Sequence, residues 1–304
     1  MRLALVKAVC AVFAIAFVFS SMSGLAVAQP VTAAASDAAM PPFWIVERNG
    51  KRLYLFGSMH LLPPETQWQR DEITKARAAS QVFVFEAPSD QEGRDMTRFV
   101  ERDGRLKGGR QLKDVVGVKL YTELEAAAWG VHCSPKMFET FRPWMAGVYL
   151  ELCSYIKAGF SRYYGVDQVI EQEARSRGAA LDYFETVEEQ LSYFAGLDRK
   201  TELAYLRAVV RGVIDEPELP DRLLEAWASG KSDVLEKLVD EGFKEVPALR
   251  WRLLVARNKK WVPRLKQMLA SDKIHFVTVG VGHLVGRDSV VAMLRAKGFK
   301  VTGP

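Results

Sequence analysis

The sequence has no apolar run long enough to cross a membrane. Its one substantial run, Ala8 to Phe19, is about a dozen residues, against the roughly 20 that a helical span requires. Charge of one sign is also in short supply. The chain carries 42 Lys and Arg against 37 Asp and Glu, a formal net charge of +5. Mixed-sign segments such as Glu236-Lys237 and Asp240-Glu241 read as solvated surface, so no nucleic-acid partner is expected. Cysteine is scarce, with 3 in 304 residues, and the spacing does not resemble a metal-binding Cys cluster. Histidine is as rare, at 4, so imidazole chemistry has few places to come from. There is no short-period repeat.

What is present begins with an export signal. Arg2 and Lys7 precede the apolar run, and Ala26-Val27-Ala28 offers a small-residue cleavage site before Gln29. A lipoprotein signal would place a cysteine there instead. Residues 1–28 are therefore expected to be removed, which takes two positive charges from the net +5. Residues 29–40, rich in Ala and without periodicity, form a linker. Residues 41–304, with the 49% apolar content of the whole chain, suffice for one substantial core, and a single domain is expected, periplasmic or secreted. Cys10 leaves with the signal. The remaining pair, Cys133 and Cys153, suggests a disulfide in an oxidising compartment, the alternative being two buried thiols inside helices.

The pattern along the chain is β-rich, then helical, then β-rich. Phe43 to Glu47 and Arg52 to Phe56 flank Asn49-Gly50, a strong hairpin signal. A helix is expected over 65–80 and a buried strand at Val82 to Phe85. The stretch 90–177 is mostly helical, with breaks at Gly104, Gly108-Gly109 and Ser134-Pro135. A strand returns at Ala180 to Phe184, followed by a Thr186-x-x-Glu189 capping box. Helices over about 186–270 are expected to form a layer that covers one side of the sheet and shapes a cleft. A strand at Ile274 to Val279, a helix from about Asp288 to Ala296, a Gly298 cap and a short strand close the chain. The fold class expected is α/β (α+β), a central mixed sheet from the two ends of the chain with the helical middle packed on it.

One correspondence links the two ends. Leu55-Phe56-Gly57-Ser58-Met59-His60 and Thr278-Val279-Gly280-Val281-Gly282-His283 each run strand, Gly, two residues, His. Glycine at a strand end permits a sharp turn, so each motif projects an imidazole from the end of a strand, where open α/β sheets place their ligands. Glu86 follows its own apolar strand and would emerge at a strand end too, where a salt bridge or cap is the plainer explanation. Two imidazoles and a carboxylate suit a divalent transition metal with open positions, which is hydrolytic chemistry.

These blocks, with Gly165-Val166-Asp167, Phe184-Glu185-Thr186-Val187-Glu188-Glu189-Gln190, Arg257-Asn258 and Leu284-Val285-Gly286, occur in the order of the TraB/GumN/Tiki family, which the chain resembles over nearly its whole mature length. The resemblance implies a fold similar to the erythromycin esterase and haem-binding ChaN group. From the Tiki members it implies metal-dependent proteolysis by His60, Glu86 and His283, with Mn, Co or Zn as the ion. Glu86 would be a ligand or a general base. The alternative is a non-catalytic binding protein for haem, a metal or a glycan, linked to polysaccharide export.

Further candidates are open to plainer explanations. Glu185 ends a strand and is a candidate for the same site. Arg257 and Asn258 are candidates for binding a substrate carboxylate or an oxyanion, although Lys259 and Lys260 make a surface run an equal explanation. Asp167 reads as a helix cap, His275 as a core histidine and His132 as a loop residue. Trp129, Trp144, Trp227, Trp251 and Trp261 read as core. The expected substrate is a peptide or another small molecule.

Overall fold

The computed structural model describes residues 39–89 and 93–304, so the expected export signal and all but the end of the expected linker lie outside the described residues. Six strands form one mixed sheet in the order β4-β3-β5-β2-β1-β6. They are β1 Phe43–Arg48, β2 Lys51–Ser58, β3 Val82–Phe85, β4 Ala180–Tyr183, β5 His275–Gly280 and β6 Lys300–Thr302. The hairpin turns at Asn49 and Gly50, both at positive φ (51° and 74°), and pairs Arg48 with Lys51. This is the two-residue connection that Asn-Gly favours.

β1 is antiparallel to both neighbours, whereas β2, β5, β3 and β4 run parallel. Strands buried on both faces need continuous apolar runs, and Val82–Phe85 and Phe276–Val279 are buried throughout. Phe276 sits at the centre of an aromatic cluster, its ring 5.9–6.2 Å from those of Phe43, Tyr54, Phe56 and Phe83. The long middle of the chain is helical and packs against this sheet. One connected apolar core takes in strand residues and helical residues such as Trp144, Leu206, Trp227 and Leu265. Among the described residues no helix is long and apolar enough to cross a membrane.

Several local expectations need correction. The first helix is Asp71–Ala79, not 65–80, because the chain after Pro63-Pro64 turns (Thr66 N and Oγ1 both donate to Pro63 O) and then tucks Trp68 against Phe56 at 5.6 Å. Trp144, Trp227 and Trp261 are buried, but Trp129 and Trp251 are 67% and 51% exposed. Trp129 falls one residue beyond the face on which Leu124, Ala127 and Ala128 are buried, and Trp251 carries the Lys259 ammonium 4.5 Å above its ring. The capping box forms as expected, with Thr186 Oγ1 accepting from Glu189 N and the Glu189 carboxylate from Thr186 N.

Cys133 and Cys153 are joined, with Cα atoms 6.3 Å apart, tying the turn after helix Val118–Gly130 to the buried helix Pro143–Lys157. Such a bond is consistent with an oxidising compartment. Closing a 20-residue separation contributes roughly 3 kcal/mol on the loop-entropy account. Cys133→Ala/Cys153→Ala should therefore lower the urea-derived unfolding free energy by about that amount, and dithiothreitol should bring the wild-type curve onto the variant's. Coincident wild-type curves with and without reductant would contradict this.

Candidate active site

The register of the parallel strands sets the geometry. Ser58 of β2 pairs with Gly280 of β5, and Phe85 of β3 pairs with Thr278 of β5 and Tyr183 of β4. All four strands therefore end on the same edge, and each hands on a polar residue shortly after its end: His60, His283, Glu86 and Glu185. The glycines of the motifs are steric requirements. A Cβ at Gly57 would lie 2.9 Å from Val281 Cγ2, so the first turn packs directly on the second. Trp227 Nε1 donates to Gly57 O at 2.8 Å, pinning the same turn from the helical side.

The His60 turn is held by the segment before helix Val166–Ser176. Leu62 and Ser161 exchange two backbone hydrogen bonds, and Val166 N donates to Met59 O at 3.0 Å. A side chain at Gly165 would collide with His60 O. This close approach places Asp167 Oδ1 2.9 Å from His60 Nδ1. Asp167 is therefore not the helix cap its position suggested: it makes no capping bond and instead orients an imidazole.

Arg257, 1% exposed, is the hub of the site. It is not the surface residue that Lys259 and Lys260 implied, nor is it free for a substrate carboxylate. Nε donates to Glu185 Oε2 at 2.9 Å, and Nη2 donates to Glu86 Oε2 at 2.5 Å and lies 2.8 Å from Glu185 Oε2. Nη1 donates to Leu253 O at 3.0 Å and to His283 Nε2 at 3.1 Å. All three guanidinium nitrogens are thus engaged. Glu86 also accepts from Gly280 N at 2.7 Å and Gln190 Nε2 at 3.0 Å, and Glu185 from Tyr193 Oη at 3.0 Å.

His283 is fully buried, with Trp261 packed on its ring at 4.4 Å. Asn258 Nδ2 donates to Asp288 O, which turns Asn258 Oδ1 toward His283 Nδ1 at 2.6 Å. The network therefore assigns the proton to Nδ1 and the lone pair to Nε2. Burial, reinforced by Arg257 and His60 against the opposing pull of Glu86, brings the His283 pKa down to about 3. Burial alone would raise Glu86, but Arg257 first, then His283, His60 and the Gly280 N–H, hold it at about 2. Burial also opposes the Arg257 charge, and Glu86 and Glu185 more than offset it. Glu86 Oε1 and His283 Nε2 are 3.7 Å apart.

The divalent metal implied by the resemblance can be tested against these donors. Imidazoles whose Nδ1 is held by an oxygen are suited to ligation through Nε2. The placement opposes it: Arg257 already bonds His283 Nε2, both Glu86 oxygens accept hydrogen bonds, and among the described residues no three His, Cys, Asp or Glu are spaced to hold an ion. As placed, the residues do not fit a metal, and the guanidinium supplies the positive charge between Glu86 and His283.

The other histidines stand apart. His275 Nδ1 bonds Lys273 O at 3.0 Å within the sheet, and His132 occupies an exposed turn at φ 58°. Two site residues escaped the sequence reading, Gln190 as a donor to Glu86 and Asp167 as a partner of His60. A signal existed for Gln190, which lies on the Val187, Leu191, Phe194 buried face of its helix.

A family model described as the TraB/PrgY/gumN family matches residues 42–303, from the residue before β1 to the residue after β6. The chain belongs to the TraB/PrgY/gumN family. It is also 21% identical over 255 residues to the uncharacterized protein YbaP of Escherichia coli (strain K12), covering 84% of this chain and 92% of that one. No solved structure matches. The TraB/PrgY/gumN match includes every site residue described above.

If Arg257 holds two buried carboxylates, removing it strands both. Arg257→Met should cost roughly 3–5 kcal/mol of stability by urea unfolding, against under about 1 kcal/mol for an exposed pair. Adding Glu86→Gln and Glu185→Gln in that background should recover part of the loss. A loss within the exposed-pair range would show that the network is not closed in solution.

Proposed function

We propose that the chain is an exported hydrolase, periplasmic or secreted, acting on peptide or related acyl bonds with His60, Glu86 and His283 at its reacting centre. The observation that carries the reading is the delivery of two oriented imidazoles and an ionised carboxylate to adjacent ends of parallel strands. His60, its ring oriented through Nδ1 by Asp167, would serve as the proton-transfer group toward an attacking water. Glu86 is less suited to that task because both its oxygens already accept hydrogen bonds. Its role is to hold Arg257 in place against His283 and Glu185.

Burial favours a second reading. His60, Glu86 and His283 are 5%, 4% and 0% exposed, so a substrate reaches them only after an opening. A non-catalytic protein that binds haem, a metal or a glycan would need no such access to a reacting centre.

Turnover decides between the two. The purified mature chain should cleave members of a mixed peptide library, scored by mass spectrometry. His60→Gln and His283→Gln should each reduce the rate at least about 100-fold with unchanged circular dichroism. Wild-type rates in both variants would place the chemistry at other residues, whereas no cleavage at all would leave the binding reading. Loss of cleavage with EDTA and its return with Mn, Co or Zn would establish metal dependence and overturn the metal-free reading that the Arg257 bond to His283 supports.

A further inference from the structure

Away from the strand ends, a cavity of about 370 Å³ opens between the loop at 102–110, the start of helix Pro143–Lys157 and the start of helix Arg199–Asp215. Its lining is dominated by cations: Arg102, Arg105, Lys107, Arg110, Arg142 and Arg199, with Asp103 and Glu202 as the acidic members. The volume lies within the range of small-ligand sites.

The cations divide into two sets. Three are committed to the wall. Arg142 pairs with the buried Glu202 and donates to Asp103 O at 3.1 Å and Ala195 O at 3.0 Å, locking three segments together. Arg102 reaches Asp103 and Glu188 at 2.6 Å each, and Arg105 reaches Glu101 at 2.8 Å. Both acidic members are thereby neutralised by wall arginines. The other three, Lys107, Arg110 and Arg199, are exposed and form no salt bridge among the described residues. Their bonds go to backbone carbonyls: Lys107 Nζ to Glu101 O at 3.4 Å, Arg110 Nε to Lys107 O at 3.2 Å, and Arg199 Nη2 to Val115 O at 3.1 Å. The Arg110 and Arg199 guanidinium groups therefore retain N–H donors.

The scaffold beneath them is fixed. Leu106 N donates to Thr140 O at 2.8 Å, Leu112 N to Glu139 O at 2.7 Å and Arg142 N to Gly104 O at 2.8 Å, so the loop is stitched at both ends to the segment before helix Pro143–Lys157. Three cations that line one cavity without carboxylate partners give it a positive potential that favours an anion. Guanidinium groups favour planar or tetrahedral oxyanions, which they engage with two N–H groups at once.

We propose that this cavity binds a multiply charged phosphoryl compound of the size of a diphosphate or sugar phosphate, gripped by Lys107, Arg110 and Arg199. The site is separate from the strand-end centre, and its test does not depend on catalysis.

The experiment is titration calorimetry of the full mature chain with inorganic pyrophosphate at constant ionic strength, with chloride as the reference anion. Saturable one-to-one binding is expected. Arg110→Gln/Arg199→Gln and the triple variant with Lys107→Gln should weaken it at least tenfold, with unchanged circular dichroism and urea midpoint. A control that removes three exposed cations elsewhere, Lys157→Gln, Lys273→Gln and Lys297→Gln, should leave affinity within twofold. Glycerol phosphate should compete if the phosphoryl group alone is recognised. No binding above the chloride reference, an equal loss in the control variant, or full affinity in the triple variant would each overturn the proposal.

Discussion

The strand-end centre depends on one buried guanidinium. Arg257 lies between two carboxylates and an imidazole brought from three different strand ends, and each of its three nitrogens is engaged. Burial works against the Glu86 charge and Arg257 is the chief influence that offsets it, so without the guanidinium the desolvation cost of that carboxylate would dominate the local energetics. A buried ion pair of this kind is weak evidence for stability, since apolar residues of similar volume often serve as well. What the pair provides is a fixed charge at the strand ends, held on a helix whose other buried residues are mostly apolar.

The topology explains why the charge has to come from a helix. The parallel strands β4, β3, β5 and β2 deliver carboxylates and imidazoles, and the compensating cation must approach from across their ends. The helix Ala256–Ala270 does this, with Arg257 and Asn258 adjacent in sequence and both buried. The preceding turn Trp251–Val255 is π-helical, and its Leu253 carbonyl accepts from Arg257. Local widening of the helix is a known accommodation at such places. Trp261, one turn on, packs on His283 and stacks on Phe184 at 4.7 Å, so the helix supplies both the polar and the apolar side of the imidazole's surroundings.

Much of this was legible in the sequence because strand ends carry strong local signals. Short buried runs of Val and Phe and the Asn49-Gly50 turn act through nearest neighbours, and the structure follows them closely. The Gly-x-x-His repeat marked its two histidines for the same reason. What was not legible depends on contacts distant in sequence. Arg257 looks solvated when read with Lys259 and Lys260. Read at helical spacing it falls between Leu253, Trp261 and Leu265, all buried, and that stripe was the overlooked signal. Asp167 occupies a helix first turn, where a carboxylate usually caps, and only the close approach of Gly165 to His60 O redirects it. The misplaced start of the first helix has a similar origin, since Trp68 packing on Phe56 outweighs the helical tendency of residues 65–70.

The helix Val187–Ala195 joins the two polar regions of the molecule. Near its start Gln190 donates to Glu86, and at its end Ala195 O accepts from Arg142 beside the basic cavity that Leu197 also lines. Seven residues separate Gln190 from Leu197, about 10 Å if helical rise continued throughout. The capping box fixes the first turn of this helix and the Arg142 bond fixes its last, so it behaves as a short rigid strut. Its buried face, Val187, Leu191 and Phe194, packs into the core, with Phe194 against Trp144 at 6.0 Å and Tyr205 at 5.8 Å. Close-packed interiors have low compressibility, which keeps the helix in register with both regions. The strut meets the Glu86 carboxylate through one hydrogen bond, from Gln190, while Arg257 and the Gly280 N–H hold its other contacts, so the strand-end centre keeps its charge pairing independently of the basic cavity wall.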